Sequence, residues 1–335
     1  MVKEQAARAH SQNRLSKENR MDRQYPEYED YGAEALLATN GRSFYWASRL
    51  LGRQMASDAA RLYAFCRVLD DMADGDIENG PQQLAIIQQQ LSQMIDNHNH
   101  TALEPNLQAF MELANATDIP LIPVMHLMQG LISDQNIVAV KTEDELVQYA
   151  YHVAGAVGLL MCPVLGCHHP LASKFAMDMG IAMQLTNIAR DVLEDAQLGR
   201  RYLPADWVAG MSADKIKACA ECDDRKGQEI VRQAISRLLI LAESYYKSGE
   251  AGLGYLPFRA RISIAVAGRV YRKIGKKLIK NGLHWHQGRT VTSKTEKLLA
   301  TLGALGPILR AGRLHRHDSN LHIPLKQYLG SGYPQ

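Results

Sequence analysis

Gln184-Leu185-Thr186-Asn187-Ile188-Ala189-Arg190-Asp191-Val192-Leu193-Glu194-Asp195 is the stretch that decides the fold. Gln184, Asn187, Asp191 and Asp195 follow at i, i+3, i+7 and i+11, which at about 3.6 residues per turn makes one polar stripe along a helix otherwise filled by Ile, Ala, Leu and Val. A surface helix usually carries long, flexible Lys and Glu on its wet face. Short amides and aspartates instead suit coordination. Far upstream, Asp70-Asp71-Met72-Ala73-Asp74 follows Tyr63-Ala64-Phe65-Cys66-Arg67-Val68-Leu69. There Arg67, Asp70, Asp71 and Asp74 share a face, and Asp70 and Asp74 lie one turn apart, as Asp191 and Asp195 do. One such motif alone reads as a solvated acidic face. Two of them, facing each other, would make a cage of hard oxygen ligands suited to Mg²⁺, which completes its octahedron with water and phosphate oxygens. Arg190, Arg200 and Arg201 beside the second motif add anion recognition.

The rest of the chain reads as helix. Apolar residues recur at spacings of three and four through 57–74, 81–97, 106–116, 142–160, 171–195, 226–248 and 258–281. Pro120, Pro123, Pro163, Pro170, Pro204 and Pro257 punctuate these stretches as connections would. The expected organisation is a polar segment over 1–30, one all-α domain over 31–311 and an irregular tail over 312–335. Within Val153-Ala154-Gly155-Ala156-Val157-Gly158 the two glycines cost a helix roughly 1 kcal/mol each relative to Ala. They signal a break, or close approach by a ligand or another helix.

With 335 residues, 46% hydrophobic and 22% charged, the chain has ample material for a core. Its formal charge of +3 gives no support to a general nucleic-acid surface. Residues 1–30 hold no apolar h-region, no uninterrupted apolar run approaches the ~18 residues of a spanning helix, and five cysteines in a chain of this length suggest reduced thiols. The expectation is a cytoplasmic location. Cys219 and Cys222 have C-x-x-C spacing, and Cys162, Cys167, His168 and His169 cluster upstream, but no second C-x-x-C accompanies them, so a zinc module is the weaker reading. His284, His286, His315 and His317 read as solvated or phosphate-adjacent. No G-x-S-x-G elbow, Walker A loop or strand-linked G-x-G-x-x-G is present.

Over roughly residues 36–310 the chain resembles the squalene and phytoene synthases. The likeness runs through Ser43-Phe44-Tyr45, both acidic motifs, Tyr149-Ala150-Tyr151-His152, Gly199-Arg200-Arg201-Tyr202-Leu203-Pro204 and Val270-Tyr271-Arg272-Lys273-Ile274-Gly275. The resemblance implies the all-α isoprenoid synthase bundle with a central cavity. Asp70, Asp74, Asn187, Asp191 and Asp195 would hold Mg²⁺, with Mn²⁺ as a substitute. Ser43, Arg67, Arg190, Tyr271 and Arg289 would contact diphosphate, and Tyr149 and Gln184 would line the reaction chamber. The implied reaction is head-to-head condensation of two geranylgeranyl diphosphates, through prephytoene diphosphate, to phytoene. Farnesyl diphosphate and a dehydrosqualene or squalene product are the alternative within the family, and a non-catalytic helical assembly partner is the alternative outside it. No NADPH is expected. Long prenyl substrates imply peripheral membrane association, through an apolar rim and Lys273, Lys276, Lys277 and Lys280. The chain departs from the family pattern at Gly52, Ala56, Ala139-Val140 and Ala150.

Overall fold

The three-and-four periodicity becomes a succession of helices in the computed structural model, which describes residues 30–96, 102–222, 224–290, 293–304, 306 and 315–329. They are α1 Asp30–Asn40, α2 Arg42–Ser48, α3 Arg53–Ala73, α4 Gly80–Ile95, α5 Pro105–Thr117, α6 Ile122–Ser133, α7 Glu143–Ala150, α8 Ala156–Val164, α9 Ala172–Gln197, α10 Ala213–Glu221, α11 Arg225–Ala251, α12 Phe258–Lys280 and α13 Lys294–Gly303. Residues 1–29 of the polar N-terminal segment lie outside the described residues. Among the described residues there is no β-strand, only an isolated bridge between Ala139 and Arg201.

Periodicity did not mark α1, α2, α6, α10 or α13. The case of α6 is instructive, because Pro123 sits in its first turn, where a backbone N–H has no partner to lose. A proline that reads as a connection here starts a helix.

The buried side chains form two large cores. One gathers Leu62, Leu69, Leu84, Leu107, Leu127 and Leu160, from α3, α4, α5, α6 and α8. The other gathers Leu185, Ile188, Leu238, Tyr246, Val266 and Val270, from α9, α11 and α12. Apart from its polar stripe, helix α9 is buried along most of its length, as a central helix must be.

The cores meet where the glycines lie. Between α7 and α8 the helix continues through one π-turn, Tyr151–Gly155. A Cβ on Gly158 would stand 2.3 Å from the carbonyl oxygen of Ala176, and one on Gly180 would stand 2.3 Å from that of Ala154. The glycines therefore serve helix-to-helix contact of α8 and the π-turn with α9, and this contact, rather than entry of a ligand, is what forbids a side chain there. Gly180→Ala is expected to cost about 2 kcal/mol through overpacking and to lower the melting temperature by about 5 °C in a calorimetric scan.

Glu143–Val164 is long and apolar enough to cross a membrane by length and composition, but half of that stretch is buried inside the protein, as expected of a core helix. Part of the segment read as an irregular C-terminal tail is docked. Residues Ser319–Leu325 form a 3-10 turn, Leu325 is fully buried, and the carbonyl oxygens of Leu321 and Pro324 accept hydrogen bonds from Tyr245 (2.8 Å) and Gln148 (2.9 Å). His317, read from its neighbours as solvated or phosphate-adjacent, is instead buried against Asp178.

Candidate active site

Helix α3 buries Leu62, Phe65, Val68, Leu69 and Met72, which turns Arg67 and Asp70 toward a cavity. Asp74 ends the helix, its N–H donating to the Asp70 carbonyl at 2.9 Å. Asp71 is buried on the inner side of the shared polar face, where it holds the Arg67 guanidinium, which also reaches Asp70 at 3.0 Å. On the far side of the same cavity, α9 presents Gln184 and Asn187, with Asp191 and Asp195 one and two turns beyond.

The cavity has a volume of about 460 Å³. Arg67, Asp70, Asp134, Gln184, Asn187 and Tyr271 line its polar end, and Leu127, Met161, Phe175, Met179, Leu256 and Ile264 line the apolar remainder. From Asn187 back to Phe175, α9 runs roughly 18 Å along the wall. The cavity lies between the two cores, taking Leu127 and Leu165 from one and Met179 and Ala267 from the other.

Ser43, Asp74, Arg190, Asp191, Asp195 and Arg289 lie outside the cavity wall. Arg190 and Arg289 both hold Asp191, at 2.7 and 3.0 Å, so two cations read as diphosphate contacts converge on one carboxylate. Arg200 reaches Asp74 at 3.0 Å and thereby ties the loop after the second motif to the first. Arg201 is a correction. Its guanidinium is buried and donates to the carbonyls of Val140 and Leu203 at 2.6 Å each, so it fixes the chain instead of binding an anion.

Asp134, at the end of α6, is the residue that sequence reasoning missed. It accepts a hydrogen bond from Tyr149 at 2.8 Å, and Tyr149 stacks on Tyr202 with centroids 4.7 Å apart. An isolated aspartate after an apolar helix carries no spacing signal, and only the fold places it among the others. Burial pushes the Asp134 carboxyl up to about 6, although the Tyr149 hydrogen bond opposes the shift. Burial likewise raises Asp70 to about 6, with Arg67 opposing and Asp74, Asp71 and Asp134 adding to it. Asp195 is raised to about 7 by burial and then by Asp191, with smaller contributions that include Asp134. Asp134 thus lies within electrostatic reach of both motifs and belongs to the same acidic cluster.

The departures from the family pattern leave this cluster intact. Gly52 has φ 91°, which a proline ring cannot adopt, so the turn before α3 is built differently here. Ala150 is fully buried in the core, and Ala139-Val140 offers its backbone to Arg201.

The cysteines do not assemble. Cys162 is a buried residue on the cavity wall, Cys167 donates to the Tyr255 carbonyl at 3.3 Å, Cys219 donates to Asp224 at 3.3 Å, and Cys222 is exposed. Among the described residues no cysteine belongs to a group able to hold a metal.

An all-α bundle with a deep apolar cavity under two facing aspartate-rich helices defines the class of isoprenoid synthase folds. The solved structures agree: a dehydrosqualene synthase in complex with ligand superposes with a TM-score of 0.69 at 25% identity, over 84% of this chain and 96% of that one. The squalene synthase HpnC of Alicyclobacillus acidocaldarius, at 21% identity over 76% of this chain and 94% of that one, superposes with a TM-score of 0.65. The squalene/phytoene synthase family model matches residues 37–296, and the chain belongs to that family. It is similar to the 15-cis-phytoene synthases of Enterobacter agglomerans (36% identical, covering 84% of this chain and 96% of the relative) and Pantoea ananas (34% identical, covering 85% and 93%).

Proposed function

We propose that the chain is a phytoene synthase, a prenyltransferase joining two geranylgeranyl diphosphates head to head with release of diphosphate. The observation that carries this reading is the join of a carboxylate and arginine cluster to a long apolar cavity, in a chain so similar to 15-cis-phytoene synthases. The test is to incubate the purified protein with Mg²⁺ and geranylgeranyl or farnesyl diphosphate, with and without NADPH, and to identify the extracted hydrocarbon. Phytoene from the C20 substrate without NADPH is the expected product. A C30 product moves the assignment within the family, and no turnover of either substrate supports a non-catalytic assembly partner.

The donors fit Mg²⁺. They are hard oxygens, and Oδ1 of Asn187 and Oε2 of Glu194 are buried with no hydrogen-bond partner, leaving lone pairs free on the acidic helix. Asp70, Asp74, Asn187, Asp191 and Asp195 would hold the ions. Bound there, Mg²⁺ would supply Lewis-acid neutralisation of a departing diphosphate. Arg67, Arg190 and Arg289 would orient the leaving group by charge-assisted hydrogen bonds. The apolar wall keeps water from an allylic cation. Tyr149 keeps its proton, because burial and the neighbouring Asp134 carboxylate both raise its pKa well above the ordinary value.

The raised carboxyls give this reading a pH signature. In the metal-free protein Asp70 and Asp195 bind protons more tightly folded than unfolded, so their stabilising contribution is complete below about pH 4 and is lost as pH rises through 6 and 7. Metal binding needs the ionised forms. Melting temperature without Mg²⁺ is therefore expected to fall from pH 5 to pH 8, and the increase on adding Mg²⁺ to grow over the same range. A Mg²⁺ effect independent of pH would count against these ligands.

Peripheral membrane association is part of the proposal. Lys276, Ile279 and Lys280 are exposed on the last turns of α12, and Leu298 and Leu299 are exposed on α13, which packs against α12. A basic rim with apolar tips suits an anionic bilayer at about 1 kcal/mol per lysine. Lys276→Gln with Lys280→Gln is expected to weaken cosedimentation with anionic vesicles about thirtyfold and to leave neutral vesicles unaffected.

A further inference from the structure

Away from the active site, α9 carries a second carboxylate, Asp178, thirteen residues before Asp191 and so roughly 20 Å along the helix axis. Asp178 is fully buried, and its partners come from the docked C-terminal segment: His322 Nε2 meets Oδ1 at 2.7 Å, and His317 Nε2 meets Oδ2 at 2.8 Å. His317 and His322 are themselves 8% and 6% exposed, and their ring centroids are 4.2 Å apart. The three ligand atoms lie within 4.8 Å of one another, and this is the one such group among the described residues.

We propose that Asp178, His317 and His322 form a binding site for a divalent transition-metal ion, Zn²⁺ in the first instance, which fastens the C-terminal segment to α9. Two imidazole nitrogens and one carboxylate oxygen are a borderline donor set, preferred by Zn²⁺ and Co²⁺ and poorly suited to Mg²⁺. Burial strengthens the attraction between a bound cation and the Asp178 carboxylate and sets it against the cost of desolvating the ion, which the three ligand bonds offset. The backbone that carries the histidines is held in advance. Tyr245 and Tyr255 donate to the carbonyls of Leu321 and His315 at 2.8 and 3.0 Å, and the Ser248 hydroxyl donates to Asp178, orienting its carboxylate. Tetrahedral bonds of about 2.0–2.1 Å place ligand atoms about 3.3 Å apart, so binding draws the three ligand atoms, now within 4.8 Å of one another, around the ion while each nitrogen parts from its present oxygen by about half an ångström.

The site is structural in kind. None of the three residues lines the cavity, but His317 packs edge-on against Phe175, a wall residue, with centroids 5.2 Å apart. An ion there stiffens the wall from behind and leaves the reacting end untouched.

The test is metal analysis of the full chain after dialysis against Zn²⁺ and then against excess Mg²⁺, beside the Co²⁺-loaded absorption spectrum. The expected result is one Zn²⁺ per chain that survives Mg²⁺, with intense d–d bands for tetrahedral Co²⁺. Retained Zn²⁺ should fall at least tenfold in His322→Gln and be unchanged in Asp191→Asn, which separates this site from the acidic mouth. Zinc displaced by Mg²⁺, zinc retained in His322→Gln, or the absence of tetrahedral Co²⁺ bands in the unaltered protein would overturn the proposal. If His322→Gln fails to fold, the Co²⁺ spectrum of the unaltered protein decides.

Discussion

Asp191→Asn is expected to lower the rate of phytoene formation about a thousandfold, or roughly 4 kcal/mol of transition-state stabilisation, with circular dichroism unchanged. The size follows from convergence. Asp191 stands one turn beyond Asn187 on the stripe, and Arg190 and Arg289 both hold it, so a single substitution weakens a metal ligand and releases two cations. Asparagine keeps the volume and one oxygen, so the fold has no reason to fail. The accompanying sign is a shift of the Mg²⁺ requirement to higher concentration. A loss smaller than tenfold, with an unchanged Mg²⁺ curve, would remove Asp191 from the metal site.

Ala176→Phe is expected to shift substrate preference toward the shorter chain, raising the ratio of C15 to C20 turnover about thirtyfold. Ala176 is half-buried on the cavity wall, about three turns from Asn187 and next to Phe175 at the far end. A phenyl ring there takes up space that only the tail of a long prenyl chain reaches, and an overpacked contact costs about 2 kcal/mol, close to thirtyfold. Comparing kcat/KM for the two diphosphates measures it. Equal slowing of both would mean that Ala176 does not floor the chamber.

Much of this site is legible in sequence because it rests on local geometry. Two helices with polar residues at fixed spacing announce themselves, since the helical period alone puts Gln184, Asn187, Asp191 and Asp195 on one side. What escaped depends on contacts across the fold. Asp134 has no local pattern and becomes a member of the site only because α6 ends beside Tyr149. Arg201, alike in sequence to its neighbour Arg200, is removed from the anion site by a backbone pairing with Ala139. The docked C-terminal segment looked irregular because its order comes from Asp178, Gln148, Tyr245 and Tyr255, all distant in the chain. Gly155 and Gly158 gave a correct alarm. Which object came close could be known only once α9 was in place.

The cavity between two separately packed cores has a mechanical consequence. Along one edge the cores meet backbone to backbone, at Gly158 with Ala176 and Gly180 with Ala154, where nothing is left to compress. On another part of the wall, Phe44 of α2 meets Tyr63 of α3 and Tyr271 of α12 through ring contacts, at 6.5 and 5.1 Å between centroids, while the Ser263 hydroxyl of α12 donates to the Ala47 carbonyl of α2 at 3.0 Å. The ring contacts yield by rotamer change, whereas a backbone contact does not. The cavity is therefore unyielding along the glycines and adjustable where Phe44, Tyr63 and Tyr271 line it, so room for a product longer than either substrate comes from turning rings and leaves both cores packed.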